Sequence, residues 1–203
     1  MFAFCWIDRK ERRFLIARDR AGIKPLYYKQ QGKSFIFGSE LDSVLRLSDG
    51  SSRIRPESVR QFLWMQFIPT PNTIVEGVFK LQPGHYIAGS WESLDRQQAL
   101  IVEPYWDVYS KVAAGAPDAD PEQLENILVD SLSRQMVADV PLGLFLSSGV
   151  DSSLLAALVN RHFADAQPFN FFTVAFKEAT TSDESDDAIS FIRGFDNPRM
   201  QSH

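Results

Sequence analysis

The chain has a single cysteine, Cys5, so no internal disulfide can staple it and a disulfide-rich secreted scaffold is excluded. One thiol fits a reducing cytoplasm, the expected location. Lying between Phe4 and Trp6, Cys5 reads as a small buried hydrophobe, because no sequence neighbour would acidify it. Histidine is also scarce. His85, His162 and His203 have neither metal-ligand spacing nor an identifiable partner, and all three are read as incidental. No apolar run approaches the ~20 residues needed to span a bilayer. Met1-Phe2-Ala3-Phe4 enters a strand-like pattern with no basic leader, so no signal peptide is expected. There is no surplus of positive charge: the net charge is −5, which supports no nucleic-acid or anionic-membrane partner. The basic group Arg9-Lys10-Glu11-Arg12-Arg13 reads as a solvated hairpin tip.

What is present is an ordinary globular composition, 44% hydrophobic and 23% charged, in 203 residues with room for two small domains. The stretch Val140 to Val159 stands out. Leu142, Leu144, Phe145 and Leu146 suit a buried strand, and Leu154 to Val159 suit a buried helix. Between them, Ser147-Ser148-Gly149-Val150-Asp151-Ser152 offers small residues at a helix N-terminus, where unpaired N–H groups and the helix dipole favour an anion. Simple capping by Asp151, Ser152 or Ser153, with Gly149 making the turn, explains the spacing about as well. The loop has no lysine, which excludes the G-x-x-x-x-G-K-[ST] loop. A carboxylate in an anion site makes sense if Mg²⁺ bridges Asp151 to phosphate oxygens.

Along the chain, Met1 to Ile7 and Arg13 to Ala17 predict a hairpin, with a tight turn at Gly22 and strands at Ile23 to Tyr28 and Ser34 to Gly38. Ser39-Glu40-Leu41 opens a helix, and a second runs from Pro56 to Trp64 with proline in its first turn. The spacing of Phe62, Trp64 and Phe67 favours core packing over a base-stacking platform. Thr73 to Tyr86 adds short strands around Pro83-Gly84. Lys111 to Asp120 is rich in Ala, Gly, Pro and Asp and reads as an interdomain linker between 1–110 and 121–203. From Pro121, Leu124, Ile127, Leu128, Leu132 and Met136 recur at helical spacing. Phe169 to Phe176 reads as a second buried strand, completing a parallel, right-handed βαβ unit. Asp183-Glu184-Ser185-Asp186-Asp187 reads as the solvated first turn of a helix. Gly194 to His203 lacks the pattern of a further element.

Several of these runs resemble one family. Leu146-Ser147-Ser148-Gly149-Val150-Asp151-Ser152-Ser153, after Val140-Pro141 and Gly143, resembles the pyrophosphate loop of the ATP pyrophosphatases in its asparagine synthetase branch, with Ser148 in place of a glycine. Phe2-Ala3-Phe4, Arg18 to Tyr28 and Phe37-Gly38-Ser39-Glu40-Leu41 resemble the later part of that family's glutaminase domain, departing from it at Ala21 and Asp42. Glu103-Pro104-Tyr105-Trp106-Asp107 resembles the segment where that domain finishes.

The resemblance implies α/β and α+β architecture in two partial domains. The first is the carboxyl part of an amino-terminal-nucleophile (class II) glutaminase domain. The second is the start of a parallel-sheet, adenine nucleotide α-hydrolase-like ATP-pyrophosphatase domain. It implies ATP and Mg²⁺ as cofactors, aspartate and glutamine as substrates, and amidation through aspartyl-AMP; a homodimer is compatible with it. It places Ser147, Ser148, Gly149 and Ser152 on pyrophosphate, Asp151 on Mg²⁺, and Leu146 and Val174 on the nucleotide. No catalytic residue is assigned, because the family's nucleophilic cysteine and synthetase lysine are expected upstream and downstream of this chain. A ligase for another carboxylate, such as a β-lactam-forming synthetase, and a non-catalytic nucleotide-binding remnant remain as alternatives. Loss of covering elements predicts exposed apolar surface along Phe169 to Phe176 and poor solubility.

Overall fold

A computed structural model describes residues 1–50, 52–109, 120–163, 169–175, 185–195 and 200–202. The chain divides into two compact units, Met1–Gly115 and Ala116–His203.

The first unit is built from two antiparallel sheets. Strands β1 (Ala3–Asp8), β2 (Arg13–Arg18), β6 (His85–Ser90) and β7 (Val102–Pro104) pair in that order. A second sheet takes the order β4 (Ser34–Gly38), β3 (Tyr27–Gln31), β5 (Phe79–Lys80). Period-two alternation splits its side chains between two cores. Tyr28 and Phe35 pack on Ile16, Leu26, Leu81 and Ile87, whereas Tyr27 and Ile36 pack on Val44, Val75 and Val78. Val44 comes from helix α1 (Leu41–Arg46). Each fully buried aliphatic side chain contributes roughly 1.5–3 kcal/mol. Helices α2 (Pro56–Met65) and α3 (Trp91–Asp95) complete the unit.

Between Arg18, the last residue of β2, and Tyr27, the first of β3, the chain makes a hydrogen-bonded turn, where the sequence predicts a strand from Ile23. Arg18 donates from Nε to the Lys24 carbonyl (2.8 Å), from Nη1 to that of Leu81 (2.7 Å) and from Nη2 to that of Gly22 (2.6 Å). Asp19, 5% exposed, accepts from the amides of Phe2, Ala21, Ile23 and Lys24 at 3.0–3.2 Å. Burial pushes this carboxyl up; the four amide donors more than offset that and hold it below its ordinary value. Gly22 adopts φ +67°, and a Cβ there would lie 2.8 Å from the Pro83 ring. The expected strand therefore starts only at Tyr27, because the amides of Ala21, Ile23 and Lys24 bond the Asp19 carboxylate and that of Gly22 its carbonyl, rather than a ladder.

Two other expectations fail in this unit. Phe62, Trp64 and Phe67 are 52%, 84% and 55% exposed, so the aromatics of α2 are not core; its buried residue is Ser58, whose hydroxyl donates to the Thr73 carbonyl (2.7 Å). Helix α3 was not foreseen. Its signal is a reciprocal cap in which Ser90 and Ser93 each accept from the other's amide.

The second unit contains α4 (Pro121–Gln135), β8 (Gly143–Phe145), α5 (Val150–Phe163), β9 (Phe169–Phe172), α6 (Ser185–Arg193) and β10 (Met200–Ser202). Helix α4 starts where Asp120 caps it by accepting from the Glu122 amide (3.1 Å). The sheet has the order β10-β9-β8, and both pairings are parallel, as the βαβ pattern predicts. Leu146, Ala156, Val159, Phe169, Phe171, Ala188 and Ile192 form the core, with Leu132, Met136, Leu142 and Leu144 packed against it. At the start of α4, Leu124 and Ile127 are instead 53% and 60% exposed.

Strand β10 corrects the expectation that the tail forms no element: its backbone pairs with Phe169–Phe171 despite a weakly apolar sequence. The expected exposure along the second strand holds only at its end. Phe169 and Phe171 are buried, whereas Phe172, where the strand ends, and Val174 are exposed. The predicted linker falls mainly in residues 110–119, outside those described, as does Phe176.

Candidate functional site

The loop following β8 is positioned by tight strand pairing. A Cβ on Gly143 would fall 2.5 Å from Cε2 of Phe172 and 3.0 Å from the Asn170 carbonyl oxygen, so glycine lets β8 and β9 approach. The Leu146 amide then donates to the Phe172 carbonyl (2.8 Å), extending the ladder to the rim of the loop. Leu146 is 4% exposed and committed to the core, leaving its backbone rather than its side chain at the rim.

Ser147, Ser148 and Gly149 turn the chain into α5, whose first turn carries Asp151 and Ser152. The serine hydroxyls lie 3.0 Å apart, and Ser147 Oγ also accepts from the Gly149 amide (3.2 Å). A Cβ on Gly149 would stand 3.1 Å from that same oxygen, so a larger residue presses on the contact. Ser148 is not among the positive-φ residues, so serine replaces the family's glycine without backbone strain. The Ser153 amide donates to the Gly149 carbonyl (3.1 Å), closing the first helical turn.

Asp151 is exposed in this turn. No cluster of three His, Cys, Asp or Glu suited to a metal occurs among the described residues. One carboxylate still fits Mg²⁺, which commonly takes only one or two from protein and fills its octahedron with phosphate oxygens and water. Val174 is 68% exposed, two residues beyond β9. Because Phe145 pairs with Phe172, Val174 and the serine loop leave the same carboxyl edge of the parallel sheet, where ligands of open α/β sheets bind. The acidic run is divided: Asp186 and Asp187 lie in the first turn of α6, and Asp183 and Glu184 lie outside the described residues.

The model of the glutamine amidotransferase domain family matches residues 1–106, just over half of the chain. The chain belongs to this family. A second family, asparagine synthase, matches residues 123–195, which include the serine loop, so the glutamine amidotransferase part is followed by a distinct matched region. Asparagine synthetase [glutamine-hydrolyzing] 3 of Bacillus subtilis is 30% identical over 99% of this chain and 32% of its own length. Putative asparagine synthetase [glutamine-hydrolyzing] 2 of Methanocaldococcus jannaschii is 32% identical over 87% of this chain and 34% of its own length. Amidase chry2 of Gibberella zeae is 30% identical over 91% of this chain and 28% of its length. The amidotransferase-family chain thus spans about one third of the length of these relatives.

Cys5 is half-buried beside the first core, and burial pushes its thiol above the ordinary value, away from a reactive thiolate. Two histidines gain partners that sequence reasoning missed. His162 Nε2 lies 2.7 Å from Glu125 Oε1, which also pairs with Arg161 (3.2 Å), and His85 Nδ1 lies 2.7 Å from the Pro83 carbonyl oxygen. His162 sits 37 residues from Glu125, so no local spacing announces the pair. No helix among the described residues is long and apolar enough to cross a membrane.

Proposed function

We propose that this chain carries parts of a glutamine-dependent asparagine synthetase, with a nucleotide site at Leu146, Ser147, Ser148, Gly149, Asp151, Ser152 and Val174. In fold terms, residues 1–110 are the carboxyl part of an amino-terminal-nucleophile glutaminase domain, 111–120 a linker, and 121–203 the start of an ATP-pyrophosphatase domain. The observation that carries the reading is the exposed Ser-Ser-Gly turn at the carboxyl edge of a parallel sheet, within the region matched by the asparagine synthase family.

Loop amides, the N-terminus of α5 and hydroxyl groups bind the pyrophosphate portion of ATP. Asp151 would hold Mg²⁺, whose charge would neutralise phosphate oxygens. Val174 and the Leu146 backbone border the nucleotide. In the complete enzyme, the aspartate carboxylate attacks the α-phosphorus as its bond to pyrophosphate breaks. Ammonia from glutamine then attacks the resulting acyl carbon of aspartyl-AMP, and AMP leaves.

A related enzyme with another substrate is the second reading, and one observation favours it: a relative named an amidase, chry2, is 30% identical over 91% of this chain, the same identity that synthetase 3 of B. subtilis has over 99%. Thermal melting tests the shared nucleotide reading. MgATP at 100 times its dissociation constant stabilises the second unit by about 2.7 kcal/mol. An unchanged melt up to millimolar MgATP contradicts the reading.

A further inference from the structure

Ser152 Oγ lies 3.1 Å from the Ser147 carbonyl oxygen and 3.1 Å from that of Gly149. It also lies 3.2 Å from the Ser147 amide nitrogen and 3.0 Å from Ser147 Oγ. A serine hydroxyl has one proton to donate and two lone pairs to offer. The proton serves the two carbonyls, and the lone pairs take the Ser147 N–H and the Ser147 O–H. The group is saturated by the loop itself.

Ser147 is placed differently. Its Oγ accepts from the Gly149 amide (3.2 Å) and lies 3.0 Å from Ser152 Oγ, a contact left to the Ser147 proton once the Ser152 proton is engaged by the two carbonyls. That proton can turn to an anion while Ser152 keeps its three other partners. The two serines that bracket the loop are therefore not equivalent, although their resemblance to the family motif treats them alike.

We propose that Ser152 is a positioning residue, which holds residues 147–149 closed before any ligand arrives, and that of these two serines it is Ser147 that supplies a side-chain hydroxyl to phosphate. This rests on the nucleotide reading above. Pre-set loop geometry favours binding because less ordering is left to occur at the moment of association.

The test combines site-resolved amide hydrogen exchange on the ligand-free chain with calorimetric binding of inorganic pyrophosphate and Mg²⁺. Ser152→Ala is expected to speed exchange of the Ser147 amide at least tenfold without ligand and to weaken pyrophosphate at least tenfold. Ser152→Thr, which keeps the hydroxyl, restores both to within threefold. Ser147→Ala weakens pyrophosphate but leaves exchange of the residue-147 amide within twofold of wild type, since its acceptor on Ser152 is intact.

The proposal is overturned if Ser152→Ala weakens pyrophosphate while exchange in the free chain is unchanged, because Ser152 then acts directly on phosphate. Should Ser152→Ala unfold the unit, Ser152→Cys, with its weak acceptor sulfur, replaces it in the exchange comparison. If the wild-type chain binds no pyrophosphate, the nucleotide reading fails, and the exchange comparison still decides whether Ser152 holds the loop.

Discussion

A methyl group on Gly143 would fall 2.5 Å from the ring of Phe172, the residue whose carbonyl receives the Leu146 amide at the rim of the serine loop. The ring, 40% exposed, could swing aside; the Asn170 carbonyl at 3.0 Å could not. Gly143→Ala should therefore destabilise the second unit by about 1–3 kcal/mol, the usual cost of overpacking. Urea unfolding checks this. The double variant with Phe172→Ala should recover part of the loss, and strict additivity would show that the ring is not the obstacle.

Asp19 should make stability depend on pH in acid. Its folded carboxyl lies below the ordinary unfolded value of ~3.9, so the native state binds fewer protons. The contribution is complete above that value and is lost as pH falls through the folded pKa. Asp19→Asn should cost about 1–3 kcal/mol at pH 7, since an amide NH₂ then faces backbone donors. The gap between wild type and variant should narrow below pH 4; a gap constant with pH would remove the carboxylate from the account.

Trp64, at 84% exposure, is a surface residue of α2. Trp64→Ser should leave stability, measured by urea unfolding, within about 0.5 kcal/mol. A loss of several kcal/mol would return this aromatic to a core.

Cys5 should be slow to alkylate at pH 7, because burial disfavours its thiolate. Iodoacetamide labelling should accelerate in denaturant. Rapid labelling of folded protein would contradict this.

The sequence revealed the elements whose pattern is local. The hairpin of β1 and β2, the strand–loop–helix at residues 143–163 and its parallel partner β9 follow from apolar periodicity bounded by small residues. The turn at Gly22 was legible for the same reason, since glycine there meets a positive φ. What escaped depends on distant groups. Asp19 gathers amides as far as Phe2, 17 residues away, and so replaces a strand by a turn. Glu125 finds His162 only after two helices have packed. The spacing of Phe62, Trp64 and Phe67 could not reveal which face of α2 is covered. The loop serines were visible as a motif, whereas their bonds to each other require coordinates.

The central claim, that the serine loop binds the phosphates of ATP, is tested most directly by calorimetric titration of MgATP into wild type and Asp151→Asn. The account predicts saturable binding by wild type, competition by pyrophosphate, and at least a tenfold loss in Asp151→Asn that vanishes when Mg²⁺ is withheld from both proteins. No binding, or binding indifferent to both pyrophosphate and Asp151→Asn, would contradict it.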